Sequence, residues 1–137
     1  LVLRDYHADN LMWCAHESGL QQVGLLDYQD ALAGDPAYDM VSLLEDARRD
    51  VSSGTVEQAI RHYLAGSGEH EADFRARYAI LGAQRNLKII GIFNRLNKRD
   101  GKVHYLDYLP RVWAHLRQDL AHEALLEVKG WINTNCH

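Results

Sequence analysis

Residues 3–30 read LRDYHADNLMWCAHESGLQQVGLLDYQD, and their order decides how the rest of the chain is read. Asp5, His7, Asp9 and Asn10 fall within six residues. A short apolar stretch, Leu11 to Cys14, follows. His16 to Gly19 (HESG) has the composition of a turn, and Val23, Leu25 and Leu26 form a second apolar run that ends at Asp27. Strand, turn and strand predict a β-hairpin over about residues 10–27. A hairpin returns the chain to where it began, so Asp27 is expected beside Asp5 and Asn10. Two carboxylates and an amide oxygen would then share one pocket. Hard oxygen donors of that kind suit Mg²⁺, which takes one or two carboxylates together with waters and phosphate oxygens.

Outward from the hairpin the pattern turns helical. Asp35 before Pro36 reads as an N-cap acceptor followed by proline at the first helical position. Met40, Leu43, Leu44 and Ala47 then recur on one helix face. Thr55 and Gln58 have capping-box spacing for a second helix, closed by Gly66 and Gly68. A long helical pattern runs from about Glu71 to Leu96, with Gly82 and Gly91 inside it, each costing about 1 kcal/mol relative to alanine. They read as close-packing points or as a break. KRDGK (98–102) is a turn, and the helical stretch after it kinks or restarts at Pro110. A last helix is expected over about His122 to Ile132. The expected fold class is therefore mostly α, one small N-terminal β-hairpin followed by roughly four to six helices. Residues 1–137 are read as a single unit.

Composition sets limits. A chain of 137 residues with 47% hydrophobic and 25% charged residues has the make-up of a globular domain with a sizeable core. No apolar run approaches the roughly 18 residues of a membrane span. Cys14 and Cys136 make no CxxC pair and no disulfide framework, so a reduced, cytoplasmic setting is expected. The first 50 residues carry ten Asp/Glu against three Arg, whereas the remainder carries nine against twelve Lys/Arg. The acidic excess sits with the Asp5–Asn10 segment and repels phosphate backbones. Without a basic run interleaved with aromatics, neither a nucleic acid nor a membrane is expected as partner.

RDYHADN, then LLDYQDALAGDPAYDMVSLL, resembles the aminoglycoside phosphotransferase and choline kinase-like family, a branch of the protein-kinase-like fold. Its D-x4-N, hairpin and following Asp are similar to the kinase catalytic loop and DFG segment. The segment looks most like the bacterial branch that phosphorylates N-acetylmuramate and N-acetylglucosamine at the anomeric hydroxyl. The motifs cover residues 3 to about 50, and the helical remainder matches in general character. The resemblance implies a C-terminal lobe of an ATP- and Mg²⁺-dependent small-molecule kinase acting on a sugar or aminoglycoside-like acceptor. It implies Asp5 as the catalytic base, Asn10 and Asp27 as metal ligands, His7 as a loop-ordering residue, and Asp39 as an anchor of the loop's backbone N–H groups. Leu3 stands where the family usually has His, and DYQD replaces DFG. The family's Gly-rich loop and strand Lys belong to an N-terminal lobe, and these 137 residues contain neither. The expected partner is therefore that lobe, or a second copy covering an apolar patch at Leu1, Leu3, Leu11 and Trp13.

Plainer readings stand beside these. Asp5 and Asn10 alone have the chemistry of turn residues. Asp35 is read as an N-cap, and Asp9, like Asp30, as a carboxylate that faces either solvent or substrate. Arg48 and Arg49 read as a solvated helix end, or as cations that meet an anionic sugar group. Asp30 and Arg85 are candidates for acceptor binding, and Asn86 and Lys88 are placed with Arg85 on the same cleft. His104, His115 and His122 lack metal-ligand spacing. Two functions remain open at this point: the kinase lobe, and a non-catalytic, pseudokinase-like remnant that binds a ligand or partner.

Overall fold

The hairpin is short. In the computed structural model of the chain, which describes residues 1–135, β1 (Leu11–Trp13) pairs antiparallel with β2 (Val23–Leu25), Leu11 opposite Leu25 and Trp13 opposite Val23. Leu26 N–H donates to Asn10 O at 2.9 Å and extends the pairing toward the two loops that flank it. A second tie closes the same end of the molecule. Val2 and Leu32 exchange backbone hydrogen bonds of 2.8 and 2.9 Å, so the start of the chain is stitched to the segment after the hairpin. Gly34 permits this, because a Cβ there would lie 2.9 Å from Val2 Cγ2. Cys136 lies outside the described residues.

Five helices follow: α1 (Ala37–Leu44), α2 (Ser53–Ser67), α3 (Glu71–Asp100), α4 (Leu109–Asp119) and α5 (Leu126–Asn135). The mostly α class with one small hairpin is thus what the chain adopts. Asp35 Oδ1 accepts Ala37 N–H at 2.9 Å and opens α1. The expected start of α2 at Thr55 is corrected. Ser52 is its cap, its Oγ accepting Thr55 N–H at 3.1 Å, so the helix begins at Ser53 and Thr55 supplies the donor. α3 runs unbroken through both glycines and four residues past Leu96, and Gly101 caps it at φ +65°. Gly82 is a close-packing point, since a Cβ there would sit 2.6 Å from Asp119 Oδ1; Gly91 meets nothing within 4 Å. Pro110 restarts the chain as a helix. It follows a 3-10 turn (Val103–Tyr108) and lies in the first turn of α4, where a missing N–H costs nothing.

α3 is the element against which the others pack. One core joins Ala37, Leu44, Ile60 and Phe74 of α1, α2 and α3; a second joins Ala79, Ala83, Leu116, Leu120, Leu125 and Ile132. A third, Ala47, Phe93 and Val112, lies nearer the far end of α3. Among the described residues no helix is long and apolar enough to cross a membrane.

Between these cores α3 carries a polar contact. Asn86, fully buried, donates through Nδ2 to Glu45 Oε2 at 2.8 Å and to Asp119 Oδ2 at 2.9 Å. Asn86 therefore ties α1 to α4 across α3 and does not reach the acceptor cleft, which corrects its expected place. Burial is the main force raising the pKa values of both carboxyls; Glu45 raises Asp119 further, to about 8, whereas the donors Asn86, Tyr78 and Asp119 pull Glu45 partly back down. The sign of the consequence follows from the unfolded value of 3.8. Between that value and about 8 the folded chain holds a proton that the unfolded chain has released, so stability falls as pH rises through this window. His7 and His115, lowered chiefly by burial, act oppositely below their ordinary 6.5. The clean interval is therefore about pH 6.5 to 8. Urea unfolding midpoints are expected to drop across it. The Asp119→Asn variant, which keeps an acceptor for Asn86 and a donor for Glu45, should show a flatter profile; equal slopes in the two proteins would contradict this origin.

Candidate functional site

The segment Leu3–Asn10 is held by its own backbone and by one carboxylate. Asp39, in the first turn of α1, accepts Leu3 N–H through Oδ2 at 2.7 Å and Arg4 N–H through Oδ1 at 3.0 Å. Two successive N–H groups converge on one carboxylate because Arg4 lies at φ +72°, a conformation that non-glycine residues rarely adopt. Asp5 N–H then returns to Leu3 O at 2.9 Å. The result turns the chain sharply and leaves the Asp5 side chain exposed at the loop's apex.

Asp5 O is also a fastening point. It accepts His7 N–H at 3.0 Å and Asn10 Nδ2 at 2.8 Å. With its amide nitrogen committed, Asn10 has Oδ1 left as an oxygen donor. His7 Nε2 lies 3.4 Å from the same Nδ2, and its ring pKa is lowered by burial and by Arg48, so the neutral imidazole is favoured. Asp27 follows the strand pairing by two residues and lies at φ +55°, and Gln29 Nε2 donates to its Oδ1. The hairpin thus returns Leu26 to Asn10 by a direct backbone bond, with the exposed Asp27 carboxylate next in line. Asn10 and Asp27 are the oxygen donors suited to a hard divalent cation. Two protein oxygens are few for such an ion, which is the condition under which Mg²⁺ retains waters and takes substrate phosphates. Among the described residues no cluster of three or more His, Cys, Asp and Glu side chains is placed to hold a metal alone.

Beneath the loop lies a cavity of about 180 Å³, lined by Asp5, His7, Tyr38, Arg48, Arg85 and Lys88 among others. Arg85 and Lys88 reach it from α3, Tyr38 from α1. Arg85 is buried, and its Nη2 donates to Ser42 Oγ at 3.0 Å. Asp30 is exposed and is not among the lining residues. A larger and more open groove of about 500 Å³, between Val2, Leu32 and Leu81, includes none of Asp5, Asn10 and Asp27.

One feature escaped the sequence reading. Arg48 and Arg49 do not form a solvated helix end, and Asp9 does not simply face water. Arg48 Nε lies 3.6 Å from Asp9 Oδ2, and Arg49 pairs with the same carboxylate. Buried Asp46 accepts Arg48 N–H at 3.0 Å and lies 3.3 Å from Arg49 Nε. The turn after α1 thereby holds the loop a second time, through Asp9. The only sequence signal was the pairing of two arginines with an acidic excess, and that signal does not say which carboxylate they meet.

Residues 1–79 match the model of the phosphotransferase enzyme family known as APH. The chain is 45% identical over 131 residues, 95% of its length, to an N-acetylmuramate/N-acetylglucosamine kinase of Caulobacter vibrioides. This chain belongs to that phosphotransferase family. Family proteins of the same name in Pseudomonas putida and Neisseria meningitidis are 38% and 39% identical over 86% and 85% of the chain. In each case the matched region spans little more than a third of the relative, 36% in Caulobacter and 35% in Pseudomonas putida. The APH match includes both Asp39 and the loop that it holds.

The anchoring carboxylate gives a direct test. Asp39→Asn replaces one of two acceptor oxygens with a donor that opposes a backbone N–H. A loss of about 1.5–3 kcal/mol in urea unfolding is expected, the usual worth of hydrogen bonds to a charged group. Amide exchange at Leu3 and Arg4 should accelerate more than exchange in α3, and unchanged protection there would contradict the anchoring role.

Proposed function

We propose that this chain forms the catalytic-loop and acceptor part of an ATP- and Mg²⁺-dependent kinase that phosphorylates a hydroxyl of an amino sugar of the N-acetylmuramate or N-acetylglucosamine kind. The observation that carries the reading is the Asp5 carboxylate at the mouth of a cavity, on a loop gripped at its backbone by Asp39 and bonded to Asn10, whose own carbonyl accepts from Leu26, the residue before Asp27. The acceptor class is that of the N-acetylmuramate/N-acetylglucosamine kinases to which the chain is similar.

Asp5 orients the acceptor hydroxyl and takes its proton as the oxygen bonds to the γ-phosphorus of ATP. The bond from that phosphorus to the β,γ-bridging oxygen breaks, and ADP leaves. Asn10 and Asp27 hold the Mg²⁺, which supplies neutralisation of phosphate charge when bound. His7 and Asn10 keep Asp5 O, and so the loop apex, in place. Little covalent chemistry is asked of the protein, and positioning dominates. Asp30 lies outside the cavity under Asp5 and is given no acceptor contact there. The nucleotide-gripping groups come from a lobe of the whole protein; of the expected apolar patch Leu1 and Trp13 are exposed to receive it, whereas Leu3 and Leu11 are half-buried.

The test is an ATP-consumption assay on the full-length protein with N-acetylmuramate and N-acetylglucosamine. Asp5→Asn keeps the shape and loses the proton acceptor, so a fall of about 10²–10⁴ in kcat is expected. Asp27→Ala should cost at least as much and His7→Ala less. Residues 1–137 alone should show no turnover above background. Full activity in Asp5→Asn, or robust turnover by the 137-residue chain, would overturn the reading.

A further inference from the structure

The cavity under Asp5 has an unbalanced charge. Three of its lining residues are cations, Arg48, Arg85 and Lys88, and Asp5 is the one carboxylate among them. Arg48 is already compensated, lying 3.6 Å from both Asp9 and Asp46. Arg85 is not. Its side chain is buried, Nη2 is satisfied by a neutral hydroxyl, and Nη1 is enclosed without any hydrogen-bond partner. A buried guanidinium with an idle donor is costly, and such a group stays only where something compensates it. Lys88 lies one turn further along α3, so both cations fall on one helix face, and among the described residues Lys88 forms no ion pair. Ile89 and Ile92 close the same wall with apolar surface, which strengthens charge interactions at the cavity floor.

We infer that Arg85 and Lys88 form a carboxylate-reading subsite, so that the acceptor is bound by its own anionic group while Asp5 faces the hydroxyl to be phosphorylated. The inference rests on the kinase reading and deepens it by naming the chemistry that selects the acceptor. Arg85 Nη1 supplies a directed donor and Lys88 a flexible point charge. The same pair repels ammonium groups, so a polycationic aminoglycoside is the wrong acceptor for this cavity. A neutral amino sugar enters but leaves Arg85 Nη1 without its partner. Selection between N-acetylmuramate, which carries a carboxylate, and N-acetylglucosamine, which does not, therefore lies with these two side chains.

The experiment measures kcat/KM for both sugars with the full-length protein, and compares the ratio between wild type, Lys88→Met, Arg85→Met and Arg85→Lys. Lys88 is exposed, so Lys88→Met tests the subsite without disturbing the core even where Arg85→Met fails to fold. The preference for N-acetylmuramate is expected to fall about tenfold or more in Lys88→Met and Arg85→Met, through KM, and to recover partly in Arg85→Lys. Raising the salt concentration should weaken N-acetylmuramate more than N-acetylglucosamine. An unchanged ratio in Lys88→Met, with both sugars turned over, overturns the subsite and leaves the kinase reading standing. Absence of turnover with either sugar in the wild type overturns the kinase reading and the subsite with it.

Discussion

Asp39 holds two consecutive backbone N–H groups with one carboxylate, and the geometry of the whole loop depends on that grip. Arg4 stands at φ +72°, a position that costs energy for any side-chain-bearing residue. Such a conformation persists only when its surroundings over-determine it. Here the determinants are the Asp39 hydrogen bonds at 2.7 and 3.0 Å on one side and the Val2–Leu32 bridge on the other. Together they aim Asp5 out of the loop while its carbonyl turns back to collect His7 and Asn10. A helix terminus, a strand bridge and a turn thus act as one support for a single exposed carboxylate.

α3 links this support to the rest of the molecule. Gly82 and Asn86, one turn apart, meet the buried Glu45–Asp119 pair, whereas Arg85, Lys88 and Ile89 line the cavity beneath Asp5. The glycine is required at the first of these contacts because the Asp119 carboxylate occupies the space of a Cβ. One long helix therefore carries a buried polar lock toward one side and the cations Arg85 and Lys88 toward the other. The lock keeps α1, α3 and α4 in register, and Ser42, which receives Arg85 Nη2, belongs to the same α1. The position of the cationic wall relative to Asp5 follows from that register rather than from the loop itself.

The fold class, the hairpin and most helix positions are legible in the sequence because they rest on local physics. Alternation, turn composition, an N-cap before proline and glycine at helix ends act over a few residues. The first capping residue of α2 was misplaced because Ser52 and Thr55 both have hydroxyls, and only backbone geometry decides which accepts and which lends its N–H. The candidate loop residues stand out for a different reason: Asp5, Asn10, Asp27 and Asp39 sit at the spacing that the resemblance to phosphotransferases names, and the role of each is a proposal.

Long-range partners were not legible. Arg48 and Arg49 look solvated on a helix end, and only the folded chain brings Asp9, some 40 positions away, against them. Asn86 and Lys88 are two positions apart on α3, yet the first is fully buried and the second exposed. The difference arises from which neighbour each helix face meets. Sequence by itself determined the local elements and the residue types that the loop carries. Tertiary structure alone decided which charges are compensated and which are left free, because charge compensation depends on distances between segments that local pattern does not encode.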